Sequence, residues 1–420
     1  MSDVRSARIA LPAGSLGAEF RTGLPVLIAC FIGSAVGHVF PFYTLTLFMP
    51  SLNAAFGWTP SQMGYAITFL TGGMFIAGPV AGYLCDRFGP RKVIIPSTVM
   101  VALLLAGMTQ LNGSIWSLYL GYALFPILGM GAGPVVYSRA VAAWFSRGRG
   151  LALGLMFCST GITTTFGPTL IGGAIQKYGW QGGWLLMAAV ALPQILIAFL
   201  LLKDRQVAVP GPNDVPATGM SMSEAARTRV FWVMFAASLL MVLMITATVI
   251  HLVPMLLKGG LDRAGALGVA SMLGLGIFAG RICSGFLLDR LHGPYVAALV
   301  SFLAACGVVL LGTGAPATLS VAVFFVGCCV GAEADIFAYF TSRYFGMKWM
   351  GEIFGFLYGG ITLGTAIAPL AMGALLAQFG GAYEYPLYIL AGIGLVAMLL
   401  CLSLPKYPVS FAATLGMKGR

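Results

Sequence analysis

Arg281 stands alone near the middle of an apolar stretch running from about 266 to 288. An arginine cannot shed its proton to escape such surroundings, and its planar fork is built to hold a carboxylate through two parallel hydrogen bonds. Two occupants suit it: an anion bound from outside, or a buried partner of this chain, Glu333 or Asp335. His38 and His251 also fall in apolar stretches. Imidazole changes charge near neutral pH, so either could carry a proton or donate to an anion. Tyr43 and Tyr358 offer hydroxyl donors to the same ligand, with Tyr137 and Tyr339 as further candidates.

The elements that must position these groups are long apolar helices. The chain is 59% hydrophobic and 8% charged, against roughly a quarter charged in ordinary soluble domains. Apolar segments of about twenty residues recur throughout, each long enough to cross a hydrocarbon core of about 30 Å. Twelve are expected, near 24–48, 63–85, 93–112, 116–143, 151–176, 182–202, 230–257, 266–288, 295–313, 318–341, 353–377 and 386–404. In the middle of such a helix an arginine costs about 2.5 to 3.5 kcal/mol, so it faces a cavity or a partner. The expected class is an all-α membrane protein. The segment after Arg5, Arg8 and Arg21 is too long for the core of a cleavable signal, so the first span is expected to stay as a helix.

The basic residues set the expected orientation. Nineteen of the 23 Lys and Arg fall at one side, whereas Lys177, Lys258 and Arg263 fall at the other. The positive-inside rule then places both termini in the cytoplasm, in a cytoplasmic (inner) membrane. The net charge of +11 is accordingly a topology signal facing anionic headgroups rather than a nucleic-acid footprint. All eight cysteines lie within the expected spans, where small buried thiols are inert packing.

The chain divides as 1–202, a polar linker at 203–229 with Pro210, Pro212 and Pro216, and 230–420. The outer parts are repeats. GMFIAGPVAGYLCDR (73–87) aligns without gaps on GIFAGRICSGFLLDR (276–290), pairing Gly82 with Gly285, Asp86 with Asp289 and Arg87 with Arg290. Gly78 of the first copy is replaced by Arg281 in the second. WFSRGRGLALG (144–154) corresponds, with one extra residue, to YFGMKWMGEIFG (344–355). Parallel repeats of six spans around a linker point to alternating access, with a ligand between the halves near the bilayer midplane. Glycines four apart, such as Gly78 and Gly82, Gly150 and Gly154, or Gly351 and Gly355, let helix backbones approach closely.

The run GYLCDRFGPRK (82–92) resembles the signature between the second and third helices of the major facilitator superfamily, and the twelve-span count extends that resemblance over essentially the whole chain. The resemblance implies two six-helix bundles. It also implies that Asp86, with Arg87 and Arg91 of the same signature, pairs with basic neighbouring helix ends and locks an outward-facing state. Arg139 is the expected partner. The second copy keeps Asp289 and Arg290 but continues Leu291-His292-Gly293-Pro294, so its lock is expected to be weaker, reinforced by Glu333 and Asp335 through Arg290 or Arg343, with a proton-carrying role for these two acids as the alternative.

Within that superfamily, FGWTPSQMGYAITFLTGG (56–73), HLVPML from His251 and GAEADIFAYFTSRYFG (331–346) are similar to the bacterial branch of monocarboxylate transporters and the oxalate–formate exchanger. That likeness implies that the helix 8 arginine, here Arg281, binds the substrate carboxylate, and that His251 occupies a substrate-contacting position. Two features depart from the pattern. Ile277 replaces the aspartate that animal monocarboxylate transporters carry one turn before the arginine, and 354–373 lacks the exchanger's lysine. One fixed positive charge matches one carboxylate.

The expectation is a monomeric secondary transporter of a small organic monocarboxylate, without cofactor or metal, by proton symport through His38 or His251 or by net co-movement with the anion. Anion exchange and proton-coupled drug antiport on the same fold are the alternatives; Gly167-Pro168 before Gly172-Gly173 is similar to an antiporter signature with the spacing displaced by one. The chain lacks HExxH, GxSxG and any close Asp-His-Ser grouping, which speaks against an enzyme.

Overall fold

The computed structural model describes residues 16–36, 39–204 and 219–408. The first half of the chain forms α1 (Leu16–Val36), α2 (Val39–Phe56), α3 (Pro60–Phe88), α4 (Pro90–Gly107), α5 (Ile115–Gly129), α6 (Pro134–Trp144) and α7 (Arg149–Leu201). The second half forms α8 (Met222–Ala226), α9 (Arg229–Ile250), α10 (Leu252–Lys258), α11 (Arg263–Leu288), α12 (Gly293–Thr313), α13 (Leu319–Tyr344), α14 (Met350–Gln378) and α15 (Glu384–Leu402). Local chemistry sets the starts. Thr59 and Gln62 cap α3 reciprocally, with Pro60 at its first position, and Asp262 accepts the Gly265 N–H to cap α11.

Among the described residues, eleven helical stretches are long and apolar enough to span a bilayer. One of them, α7, has 53 residues and would reach about 80 Å if straight. It reverses at Gly179, whose φ of 73° is readily open to glycine. The expected spans at 151–176 and 182–202 are therefore two crossings joined by one backbone turn, and the crossings among the described residues number twelve. Side chains such as Ile76 and Leu370, 71% and 75% exposed, are the surface that lipid covers.

Each half packs mainly within itself: α1 and α4 on α7, and α3 on α5, then α11 on α13, α12 on α15, and α9 on α14. Between halves the main contacts are α3 on α14 and α7 on α11. Both are made of glycine. Gly82 lies against the Gly351 carbonyl and Gly150 against that of Gly285, so closely that a Cβ would overlap the facing backbone. Farther along the same helices Gly72, Gly161, Gly172 and Gly274 meet nothing within 4 Å, and α1 and α2 pack on their own half. The halves thus close at the end bearing the α3–α4 and α11–α12 turns and diverge at the other.

Residues 205–218 of the expected linker lie outside the described residues. Its described end docks on the α13–α14 turn, where Gly219 bridges Gly346 and the Met220 N–H donates to the Phe345 carbonyl at 2.9 Å.

Candidate functional site

Arg281 is held where three helices converge. On α11, Gly276 and Gly280 abut the backbone of α13 at Phe324 and Cys328, and on α13 Gly327 and Gly331 abut that of Leu273 and Ile277. This near-contact of backbones brings a side chain of α13 directly onto the guanidinium. Arg281 Nη1 donates to Asp335 Oδ1 at 3.3 Å. From the other half of the molecule, Thr160 Oγ1 on α7 accepts from Nη2 at 3.1 Å, and the Phe157 ring lies beneath the guanidinium at 5.4 Å. Arg281 is 8% exposed. Its Nε, Asp335 Oδ2 and Glu333 Oε2 are buried atoms with no hydrogen-bond partner among the described residues. Buried polar atoms are seldom left so.

Seven residues separate Arg281 from the end of α11, so it lies about 10 Å from the closed end, below the middle of the span. Gly154 of α7 packs on its carbonyl. The cation therefore sits at the floor of the divergence between the halves, under a helix that belongs to the opposite half.

Asp335 meets the expectation of a buried partner for Arg281 and corrects another. It was placed with Arg290 or Arg343 near the loops, but it lies nine residues inside α13, about 13 Å from that end and level with Arg281. Arg343 instead donates to the Ser146 carbonyl at 3.2 Å and lies 4.8 Å from the Tyr339 ring. Arg290 stacks on Phe286 at 3.7 Å. Glu333 makes no ion pair with Arg290 among the described residues.

The other expected charges separate into two groups. Asp86 and Asp289 cross between halves. Asp86 accepts from Arg139 Nε at 2.8 Å and from the Glu352 N–H at 2.9 Å, at the start of α14. Asp289 accepts from the N–H groups of Gly150 and Leu151, at 2.8 and 3.0 Å, at the start of α7. Each carboxylate thus caps a helix N-terminus of the opposite half, where N–H groups lack partners and the helix dipole favours an anion. Burial pushes the Asp289 carboxyl up to about 6, against the pull of those two N–H groups. Arg87 and Arg91 act within their own half: Arg87 donates to the Tyr83 hydroxyl at 3.0 Å, and Arg91 to the Phe199 carbonyl at 2.7 Å.

His251 sits in the break between α9 and α10, with Nδ1 3.4 Å from the Tyr383 hydroxyl. It lies 22 residues beyond Arg229, about 33 Å along the helix from the closed end. The structure does not bring it to Arg281 in this conformation. Tyr358 is half-buried on α14 and packs edge-on against Phe354. His38 lies outside the described residues, as does the side chain of Tyr43. A cleft of about 190 Å³ between Met255 and Leu387, lined by Lys258, Tyr383 and Glu384, belongs wholly to the second half and does not include Arg281. Among the described residues, no three His, Cys, Asp or Glu side chains converge as metal ligands would.

Several contributors were invisible to sequence reasoning. Thr160 and Phe157 are ordinary residues of an apolar helix. Arg149 reads as a loop charge but is 2% exposed, donating to the Phe145 carbonyl at 2.8 Å and across the halves to Ser342 Oγ at 2.9 Å. Glu19 accepts from the N–H groups of Ser146, Arg147 and Gly148, bracing the turn into α7.

Comparison with known proteins places this geometry. The family model described as Major Facilitator Superfamily matches residues 31–358. The MFS transporter asaE of Aspergillus flavus is 25% identical over 86% of this chain and 80% of its own length. Monocarboxylate transporter 11 of mouse is 26% identical over 82% of this chain and 75% of its own. Among solved structures, the fucose:proton symporter FucP of E. coli superposes with a TM-score of 0.70 at 17% identity, covering 91% of this chain and 98% of that one. At that identity the likeness speaks to the fold.

Proposed function

The chain belongs to the major facilitator superfamily of membrane transporters, and from that premise we propose that it carries a small organic monocarboxylate across the membrane by alternating access, together with a proton. The observation that supports this reading most directly is Arg281: a buried cation at the floor of the divergence between the halves, with Nε unpartnered among the described residues. Its fork has two donors in use, on Asp335 and Thr160, of the five that a guanidinium carries. The likeness to Monocarboxylate transporter 11 points the same way.

The closed end carries the basic turns around Arg87, Arg91, Arg147 and Arg290. By the positive-inside rule that end is cytoplasmic and the conformation is outward-facing. A substrate entering from outside descends between α1–α2 and α9–α10 to Arg281. The two carboxylate caps, Asp86 on α14 and Asp289 on α7, hold the cytoplasmic end shut until the halves rock. His251 at the outer rim suits a first contact for an arriving anion rather than the final seat.

Uptake of labelled mono- and dicarboxylates into proteoliposomes, pyruvate and oxalate among them, tests this with Arg281→Ala and Arg281→Lys beside wild type. Arg281→Ala is expected to lower uptake by about a hundredfold, the loss of a charge-assisted bidentate contact. Arg281→Lys recovers little, because an ammonium presents no fork. Unchanged affinity in Arg281→Ala would remove the assignment. Preferential uptake of oxalate would reverse the one-charge argument, and accumulation of a lipophilic cation with no carboxylate taken up would make the chain a drug antiporter instead.

A further inference from the structure

We infer that Asp335 is the proton-carrying group of the transport cycle, and that protonating it releases Arg281 to the substrate carboxylate; this rests on the reading of Arg281 as the substrate anchor. The argument begins with charge. Arg281 and Asp335 form a buried pair at 3.3 Å, with side chains 10% and 0% exposed. Together they are neutral, with the neighbouring Glu333 carboxyl keeping its proton throughout the cycle. An anion arriving alone leaves the site at −1, and a proton arriving alone on Asp335 leaves it at +1. A proton on Asp335 with an anion on Arg281 restores zero.

The halves must close over whatever the site contains, and closing a net charge into a low-dielectric interface costs several kcal/mol. The empty site and the fully loaded site avoid that cost, and the two half-loaded sites do not. Coupling of one proton to one monocarboxylate therefore follows from the pair itself. The proton binds a carboxylate oxygen of Asp335 from outside and leaves it to the cytoplasm after reorientation. The restored carboxylate then reclaims Nη1 and displaces the substrate.

The surroundings of Asp335 fit this role. From α11 it faces Arg281. From α7 it faces Cys158, which feels both members of the pair. Its own helix adds Glu333 one turn or less away. Among the described residues, Arg281 and Glu333 are, with Cys158, the titratable or charged groups that interact with it. Asp335 Oδ2 is buried without a hydrogen-bond partner among the described residues, so a proton there breaks no other bond. A Cβ on Gly154 would lie 3.6 Å from that oxygen. Since α7 belongs to the opposite half, lifting it from α11 at the closed end would uncover the oxygen to the other side of the membrane.

Infrared difference titration of the purified, reconstituted protein reads the group without any substrate. Wild type is expected to show a protonated-carboxyl C=O band that appears on acidification. The band is lost in Asp335→Asn and retained in Glu333→Gln. With Asp289→Asn as the common background, so that its carboxyl adds no band of its own, a band unchanged in Asp335→Asn, or lost in Glu333→Gln alone, overturns the assignment. In parallel, labelled pyruvate is supplied to proteoliposomes with and without an inward proton gradient. Asp335→Asn should lose gradient-driven accumulation by about tenfold or more while retaining pyruvate–pyruvate exchange, and Asp335→Glu should restore accumulation. Gradient-driven accumulation at the wild-type level in Asp335→Asn also overturns the inference. If wild type takes up no pyruvate, the substrate reading fails for that acid while the infrared titration still decides Asp335.

Discussion

The closed end of the molecule contains the same crossing twice. In the first, α3 meets α14 through Gly78, Gly82 and Asp86 against Gly355, Gly351 and the start of the helix; in the second, α11 meets α7 through Arg281, Gly285 and Asp289 against Gly154, Gly150 and the start of the helix. The backbone contacts match position by position. What differs is charge. The first crossing adds Arg139 to Asp86 at 2.8 Å and has no side chain at Gly78. The second leaves Asp289 on N–H groups alone and introduces Arg281, whose carbonyl still packs on Gly154. The repeat thus supplies two crossings with one geometry, and the second carries a buried cation where the first carries no side chain.

The largest break in this comparison should come from the shared glycines. A side chain at Gly82 or Gly285 would occupy backbone of the opposite half. Gly82→Leu and Gly285→Leu are each expected to shift the equilibrium away from this state by about 3 kcal/mol, at the upper end of overpacking costs. Maleimide labelling of a cysteine introduced at Ser342, buried at the closed end, should then become fast, with uptake largely lost. Gly78→Ala should be mild by comparison, since its Cβ would stand 3.1 Å from the Gly355 carbonyl.

The charges should break the two crossings unequally. Asp86→Asn strands Arg139, which is 7% exposed, and is expected to cost the closed state about 3 kcal/mol. Asp289→Asn removes one accepting carboxylate oxygen but also a buried charge and strands no ion-pair partner, so it is expected to change closure by no more than about 1 kcal/mol. Equal labelling rates at Ser342→Cys in the two variants would contradict the asymmetry.

The smallest effect is a pH dependence confined to the second crossing. Asp289 is pushed up to about 6 by burial and returns toward its ordinary value of about 3.9 when the end opens to water. Closing therefore takes up a proton. The contribution favouring closure is fully present below the open-state value and is lost as pH rises through about 6. Closure in wild type should thus strengthen on acidification from about 6 toward 4, and Asp289→Asn should remove that component, leaving any titration of Asp335. Labelling at Ser342→Cys across this range is the measurement.

The resemblance to a superfamily was legible because its physical basis is one-dimensional. Apolar runs of about twenty residues, basic loops and a repeated GxxxD pattern are all properties of neighbours in sequence, and they led to twelve crossings and two related halves. The candidate site was legible in part. Arg281 announced itself by being costly. Its partner was legible only as one of two acids, Glu333 or Asp335, because Asp335 lies 54 residues away and its depth depends on glycine packing between α11 and α13. Arg149 looked like a loop charge because loop and helix start are one residue apart there, and burial comes from Ser342 across the halves. His251 looked close to Arg281 on the strength of a resemblance, and the break between α9 and α10 puts it at the outer rim.

Sequence alone determined the solvent of this protein, the number of its crossings, the repeat that relates its halves and the position of its exceptional charge. These follow from residue type and short-range spacing, which set transfer free energies whatever the chain does elsewhere. Tertiary structure alone decided that Arg281 is shared between Asp335 of its own half and Thr160 of the other, that each aspartate caps a helix of the opposite half, and that one end is closed. Those are distances between residues brought together by backbone contact of distant helices, and a buried charge takes its meaning from whatever lies within a few ångströms of it.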